Sequence, residues 1–70
     1  MRENLKKARK EAGMTQKQVA EYLGITEQYY QYIEYGSRNG GFEIWDSLED
    51  LFNVHQRILR ESHVQPNNQE

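Results

Sequence analysis

The chain contains no cysteine. No disulfide can staple it and no thiolate can hold a metal, which fits a reducing, cytoplasmic setting. Its one proline, Pro66, falls in the polar stretch Ser62 to Glu70, expected to be a disordered C-terminal tail (62–70) behind a single domain at 1–61. No apolar run approaches the length of a membrane span. The opening Met1-Arg2-Glu3-Asn4-Leu5-Lys6-Lys7 has no apolar core of a signal peptide. His55 and His63 are not spaced with other ligands, so no metal is expected. No serine, histidine and acid combine into a triad, and 70 residues leave little room for a substrate pocket. Neither an enzyme nor a cofactor is expected.

Positive charge is also short. The formal net charge is −2, although affinity for nucleic acid rests on neutralising phosphates. The distribution matters more than the total. Residues 1–18 carry Arg2, Lys6, Lys7, Arg9, Lys10 and Lys17 against Glu3 and Glu11, whereas the remainder is acidic. The low total predicts weak non-specific binding. Residues Lys6, Lys7 and Lys10 read as a solvated helix face and are not counted as contacts.

Helical signals run along most of the chain, with no internal repeat and no sustained strand alternation. Leu5, Ala8 and Ala12 recur at helical spacing over Glu3 to Ala12, and Gly13 follows as a left-handed cap. Thr15 and Gln18 form a capping-box pattern for a second helix ending near Leu23. Thr26 caps a third, with Glu27 at the positive end of its dipole. Gly36 ends it, and Ser37-Arg38-Asn39-Gly40-Gly41 reads as a flexible loop. A fourth helix is predicted over Glu43 to Phe52, with Phe42, Trp45, Leu48 and Phe52 on one face and Asn53 as its left-handed cap. Ile58 and Leu59 anchor a short fifth.

The stretch Gln16 to Tyr35 holds the most information. Val19, Ala20 and Leu23 form one apolar stripe, and Tyr30 and Ile33 form a second. Gly24 and Ile25 lie between them. Two short helices joined by a glycine turn can present the second helix to the major groove while the first braces it. Ala20 stands where the helices cross, and Gly24 supplies the positive φ of the turn. An ordinary helical hairpin explains less, because the alanine, the glycine and the apolar positions coincide. All five tyrosines fall between residues 22 and 35. Tyr30 is expected inside and Tyr22 and Tyr35 on the surface, with Tyr29 and Tyr32 divided between packing and DNA contact.

Thr15-Gln16-Lys17-Gln18-Val19-Ala20-Glu21-Tyr22-Leu23-Gly24-Ile25-Thr26, with Ile33-Glu34-Tyr35-Gly36-Ser37-Arg38-Asn39, resembles the Cro/lambda-repressor-like, or XRE, helix-turn-helix family. The resemblance extends from about Leu5 to Leu59. It implies an all-α, compact five-helix lambda-repressor-like domain that regulates transcription and binds pseudo-palindromic double-stranded operators as a homodimer. It implies DNA backbone contacts from Gln16, Lys17, Arg38 and Asn39. It implies that base edges are read from Glu27, Gln28, Gln31 and Tyr32, with Tyr29 beside them, and that Arg9 pairs with Glu34 as a structural ion pair. Gln28 suits adenine and Glu27 suits cytosine, while no arginine on the helix suits guanine, so an A·T-leaning half-site is expected. Gly40 stands where members often have proline, which predicts a looser loop.

With only one domain in view, the chain reads as a bare DNA-binding unit of Cro type, from a bacterium, its phage or a mobile element, and as a repressor. A different reading uses the same fold as a protein-interaction module, an antitoxin or an adaptor. The acidic fourth helix (Glu43, Asp46, Glu49, Asp50), the tyrosine cluster and the low charge motivate it. Leu51, Ile58 and Val64 are the apolar residues most available for a two-fold contact.

Overall fold

A computed structural model describes residues 1–61 of the chain; the stretch 62–70, with His63, Val64 and Pro66, lies outside the described residues. The helices are α1 (Glu3–Glu11), α2 (Gln16–Leu23), α3 (Glu27–Tyr35), α4 (Phe42–Phe52) and α5 (Gln56–Arg60). Among the described residues there is no strand. The arrangement is the all-α, five-helix one that the sequence implies, with α2 and α3 as the helix-turn-helix.

Each boundary has a local cause. The Gln18 backbone N–H donates to Thr15 Oγ1 at 3.0 Å, and the Thr15 N–H donates to Gln18 Oε1 at 2.9 Å. Both arms of the capping box are therefore made, satisfying two amides that the first turn of α2 leaves open. Thr26 Oγ1 accepts from the Tyr29 N–H at 3.1 Å at the start of α3. His55 does the same for α5, its Nδ1 accepting from the Arg57 N–H at 3.0 Å. Between α2 and α3, Gly24 takes φ 74°. The Gly24 and Ile25 N–H groups turn back onto the carbonyls of Glu21 and Ala20, at 3.2 and 3.0 Å. A Cβ on Gly24 would meet nothing within 4 Å. The turn thus needs glycine for its dihedral, not for space. Helix α1 stops one residue short of expectation, and Ala12 is exposed rather than on the buried face.

The core is Leu5, Val19, Ala20, Tyr30, Ile33, Trp45, Leu48 and Leu59, each at most 1% exposed. All five helices contribute: α1 packs on α3 and α4 on α2, and α5 packs on α1 and α4 behind them. Phe42 departs from expectation: it is 71% exposed. At about 100° per residue, Ile44, Trp45, Leu48, Leu51 and Phe52 cluster on one side of α4, and Phe42 sits about 120° from their centre. It is also the first helical residue, so its side chain leans beyond the end of the helix. Leu51, expected to be available for dimer contact, instead packs half-buried against the core, whereas Ile58 is 45% exposed.

The loop between α3 and α4 is fastened rather than loose. Trp45 Nε1 donates to the Asn39 carbonyl at 2.7 Å, and an Arg2 Nη1 donates to the Arg38 carbonyl at 2.9 Å. Gly40 has φ +72°, where a proline ring cannot follow, and a Cβ there would lie 3.3 Å from Trp45 Nε1. Glycine at this position belongs to a loop anchored by side chains.

Candidate nucleic-acid interface

The second helix of the motif is set in place by a buried ionic network. Glu34, on the inward side of α3, is 1% exposed and Arg9 of α1 is 8% exposed. Arg9 Nε donates to Glu34 Oε1 at 2.8 Å and Nη2 donates to Oε2 at 3.1 Å, a two-pronged pair with a fixed plane. The remaining guanidinium nitrogen donates to the Met14 carbonyl at 3.0 Å. Gln16 Nε2, from the first residue of α2, completes the set by donating to Glu34 Oε2 at 3.2 Å. One carboxylate therefore ties α1, α2 and α3 together. The Glu34 hydrogen bond holds the Arg9 guanidinium above its ordinary range despite burial.

Tyr30 lies in the same interior and is fully buried. Its hydroxyl has no hydrogen-bond partner among the described residues. Burial first, and the neighbouring Glu34 carboxylate second, push the phenol well above its ordinary value, so it stays neutral.

On the opposite side of α3 the polar residues gather. Gln28 is exposed there and Tyr32 half-buried, with Gln31 half-buried at the flank; Glu27, seven residues before Glu34, lies on the Glu34 side of the helix and is exposed because it stands on the first turn. Gln28 Nε2 donates to Tyr32 Oη at 2.9 Å, one helical turn away. The Arg38 guanidinium lies over the Tyr32 ring, 5.8 Å from its centroid. Gln28, Tyr32 and Arg38 thus form one connected array from the start of α3 to the following loop. Lys17 and Asn39 are exposed near its two ends in sequence, on α2 and on the loop. Tyr29 is different, being half-buried and packed against the core. The array can donate and accept hydrogen bonds toward base edges and carries Arg38 as a cation for a phosphate.

The acid-rich helix turns part of its charge elsewhere. Gln56 of α5 donates to Asp46 Oδ1 at 2.6 Å and to Glu49 Oε1 at 3.1 Å. Those two carboxylates belong to the α4–α5 side of the molecule.

Sequence reasoning missed Arg2, counted only as part of a basic front. It is 6% exposed. Its backbone N–H donates to the Glu34 carbonyl at 2.9 Å, and its side chain reaches carbonyls on α3, on the loop and on α5. A lone arginine two residues from the start carries no periodic signal, so nothing in the pattern marks it as buried.

A family model described as helix-turn-helix matches residues 5–55. An uncharacterized HTH-type transcriptional regulator of Bacillus subtilis (strain 168), YqaE, is 38% identical over 52 residues, covering 74% of this chain and 45% of the relative. The chain therefore spans less than half the length of that relative. No solved structure matches it. The matched region runs from within α1 through α4 and includes the ionic network, the glycine turn and the polar array. On the motif, the five helices and this match, the chain belongs to the XRE-type helix-turn-helix family.

Proposed function

We propose that the chain is a sequence-specific double-stranded DNA-binding transcriptional regulator that acts as a repressor in a bacterium, its phage or a mobile element. The observation that carries this reading is the pairing of a fixed back with a polar front on α3. The Arg9–Glu34–Gln16 network sets the helix, and Gln28, Tyr32 and Arg38 stand joined on its other side. A reading helix benefits from such order, because side chains already held lose less freedom on binding. In this reading α3 enters the major groove. Glu27, Gln28, Gln31 and Tyr32 face base edges, and Tyr29, engaged in packing, contributes at most its exposed edge. Gln16, Lys17, Arg38 and Asn39 approach phosphates. Few cations serve the face, so specificity rests on base contacts more than on net charge. The operator is a pseudo-palindrome bound by two copies in the cytoplasm, and Ile58, exposed on α5, contributes to the two-fold contact.

Selection of duplexes from a random pool at near-physiological salt tests this. The expected result is an enriched two-fold palindrome. Gln28→Ala then costs about 1–3 kcal/mol at one base pair of each half-site. No enrichment by well-folded protein sinks the assignment. The interaction-module reading takes its support from Phe42, 71% exposed at the start of the acidic helix. It predicts a stoichiometric, salt-resistant protein complex, with DNA binding weak or dependent on the partner.

A further inference from the structure

Arg2 is a buried cation with no carboxylate partner among the described residues. Its acceptors are all backbone. Nη1 donates to the carbonyl of Ile33, in the last turn of α3, and to that of Arg38 at 2.9 Å; Nε donates to the carbonyl of Arg60, the last residue of α5, at 3.0 Å. Its guanidinium carbon stands 5.1 Å from the centroid of the Trp45 ring. Burial, and the Arg60 guanidinium 5.7 Å from the centroid of the same ring, work against this charge; the carbonyls and the indole oppose that cost. Two helix C-termini turn their negative ends toward it, and an indole face covers it. Only a guanidinium can do this, because its planar fork serves several carbonyls at once, whereas an ammonium is a compact point charge.

The consequence lies in the loop. The carbonyls of the consecutive residues Arg38 and Asn39 are both tied inward, the first by Arg2 and the second by Trp45 Nε1 at 2.7 Å. The two holders also touch each other. With its backbone held on this side, Arg38 keeps its exposed side chain over Tyr32. We propose that Arg2 is a positioning residue for DNA binding, a backbone clamp that holds the Arg38 loop where the Arg38 guanidinium meets a phosphate. This rests on the reading of the chain as a DNA-binding protein. Arg2 itself touches no phosphate. Without the clamp, Arg38 must be ordered at the moment of binding, and the contact is weakened by that entropy.

The test uses the full chain, a fluorescent duplex enriched by the wild type, and anisotropy at several salt concentrations, below the melting temperature of every variant. Arg2→Lys keeps the charge and loses the fork. It is expected to weaken binding about tenfold and to flatten the log–log salt dependence by about one unit per protomer, as Arg38→Ala does. The double variant is expected to bind no worse than Arg38→Ala alone. Leu59→Val, which trims the core and removes none of the hydrogen bonds that hold the loop, is expected to keep the wild-type slope. Arg2→Gln, which loses the charge as well as the fork, replaces Arg2→Lys if the latter does not fold and is read by affinity alone: the same tenfold loss is expected, absent from the Arg38→Ala background. Arg2→Lys binding with wild-type affinity and slope overturns the clamp, as do losses that multiply with Arg38→Ala or a slope change in Leu59→Val. In each of these cases the DNA reading stands. A wild type that binds no duplex overturns both.

Discussion

Glu34 keeps its carboxylate in the interior of a 70-residue chain, where an unshared charge is costly. Three donated hydrogen bonds, two from Arg9 and one from Gln16, make the position tenable. Arg9→Met removes two of them at once and leaves Glu34 buried with Gln16 alone. Chemical denaturation is expected to show a loss of about 3–5 kcal/mol, the range for breaking rather than replacing a buried pair. Tyr30 behaves oppositely, because its hydroxyl is buried and unpartnered. Tyr30→Phe deletes a polar atom with no bond to lose, so stability is expected to change by less than about 1 kcal/mol or to rise. The raised phenol adds a pH signature. The native state holds the Tyr30 proton more tightly than the unfolded chain does, so the phenol leaves stability independent of pH below about pH 10, the unfolded value, and stability falls as pH rises above it. Denaturation midpoints measured from pH 8 to 11 are expected to fall less steeply at the alkaline end in Tyr30→Phe than in the wild type.

Among elements, the α3–α4 loop shows what side-chain anchoring achieves. Gly40 holds a left-handed φ with Trp45 Nε1 and Ile33 close to where a Cβ would stand. Proline, the residue that the resemblance suggests at this position, requires φ near −65° and is expected to destabilise the chain by more than about 1 kcal/mol, not to rigidify it. Thermal melting of Gly40→Pro checks this. The helices themselves were legible in the sequence because their boundaries rest on local chemistry: Thr15 with Gln18, Thr26, Gly24, Gly36 and Asn53 act within a few residues. What escaped was set at a distance. Phe42 shares the spacing of the buried stripe but lies at its edge, on a first turn with nothing beyond it. Arg2 depends on carbonyls 31 to 58 residues away, and the Asn39 carbonyl is held by Trp45 of the next helix, a contact set by how α4 packs rather than by a local pattern. The Gln28–Tyr32 hydrogen bond is local, at i and i+4, yet which residue types face DNA together follows only once α3 is turned by its buried side.

At the scale of the whole molecule, charge is unevenly placed and sparse. The net charge is −2, and the cations of the proposed contact face are Lys17 and Arg38. Recognition on this account is a matter of one helix face rather than a broad basic surface. The most direct measurement is the change in backbone amide resonances of the full chain when the selected duplex is added. Changes concentrated at residues 16–17, along the outward positions of α3 from Glu27 to Tyr32, and at Arg38 and Asn39 are the predicted result. Changes centred instead on Phe42 and the acidic residues of α4, with α3 undisturbed, would contradict the claim that α3 is the surface that reads DNA.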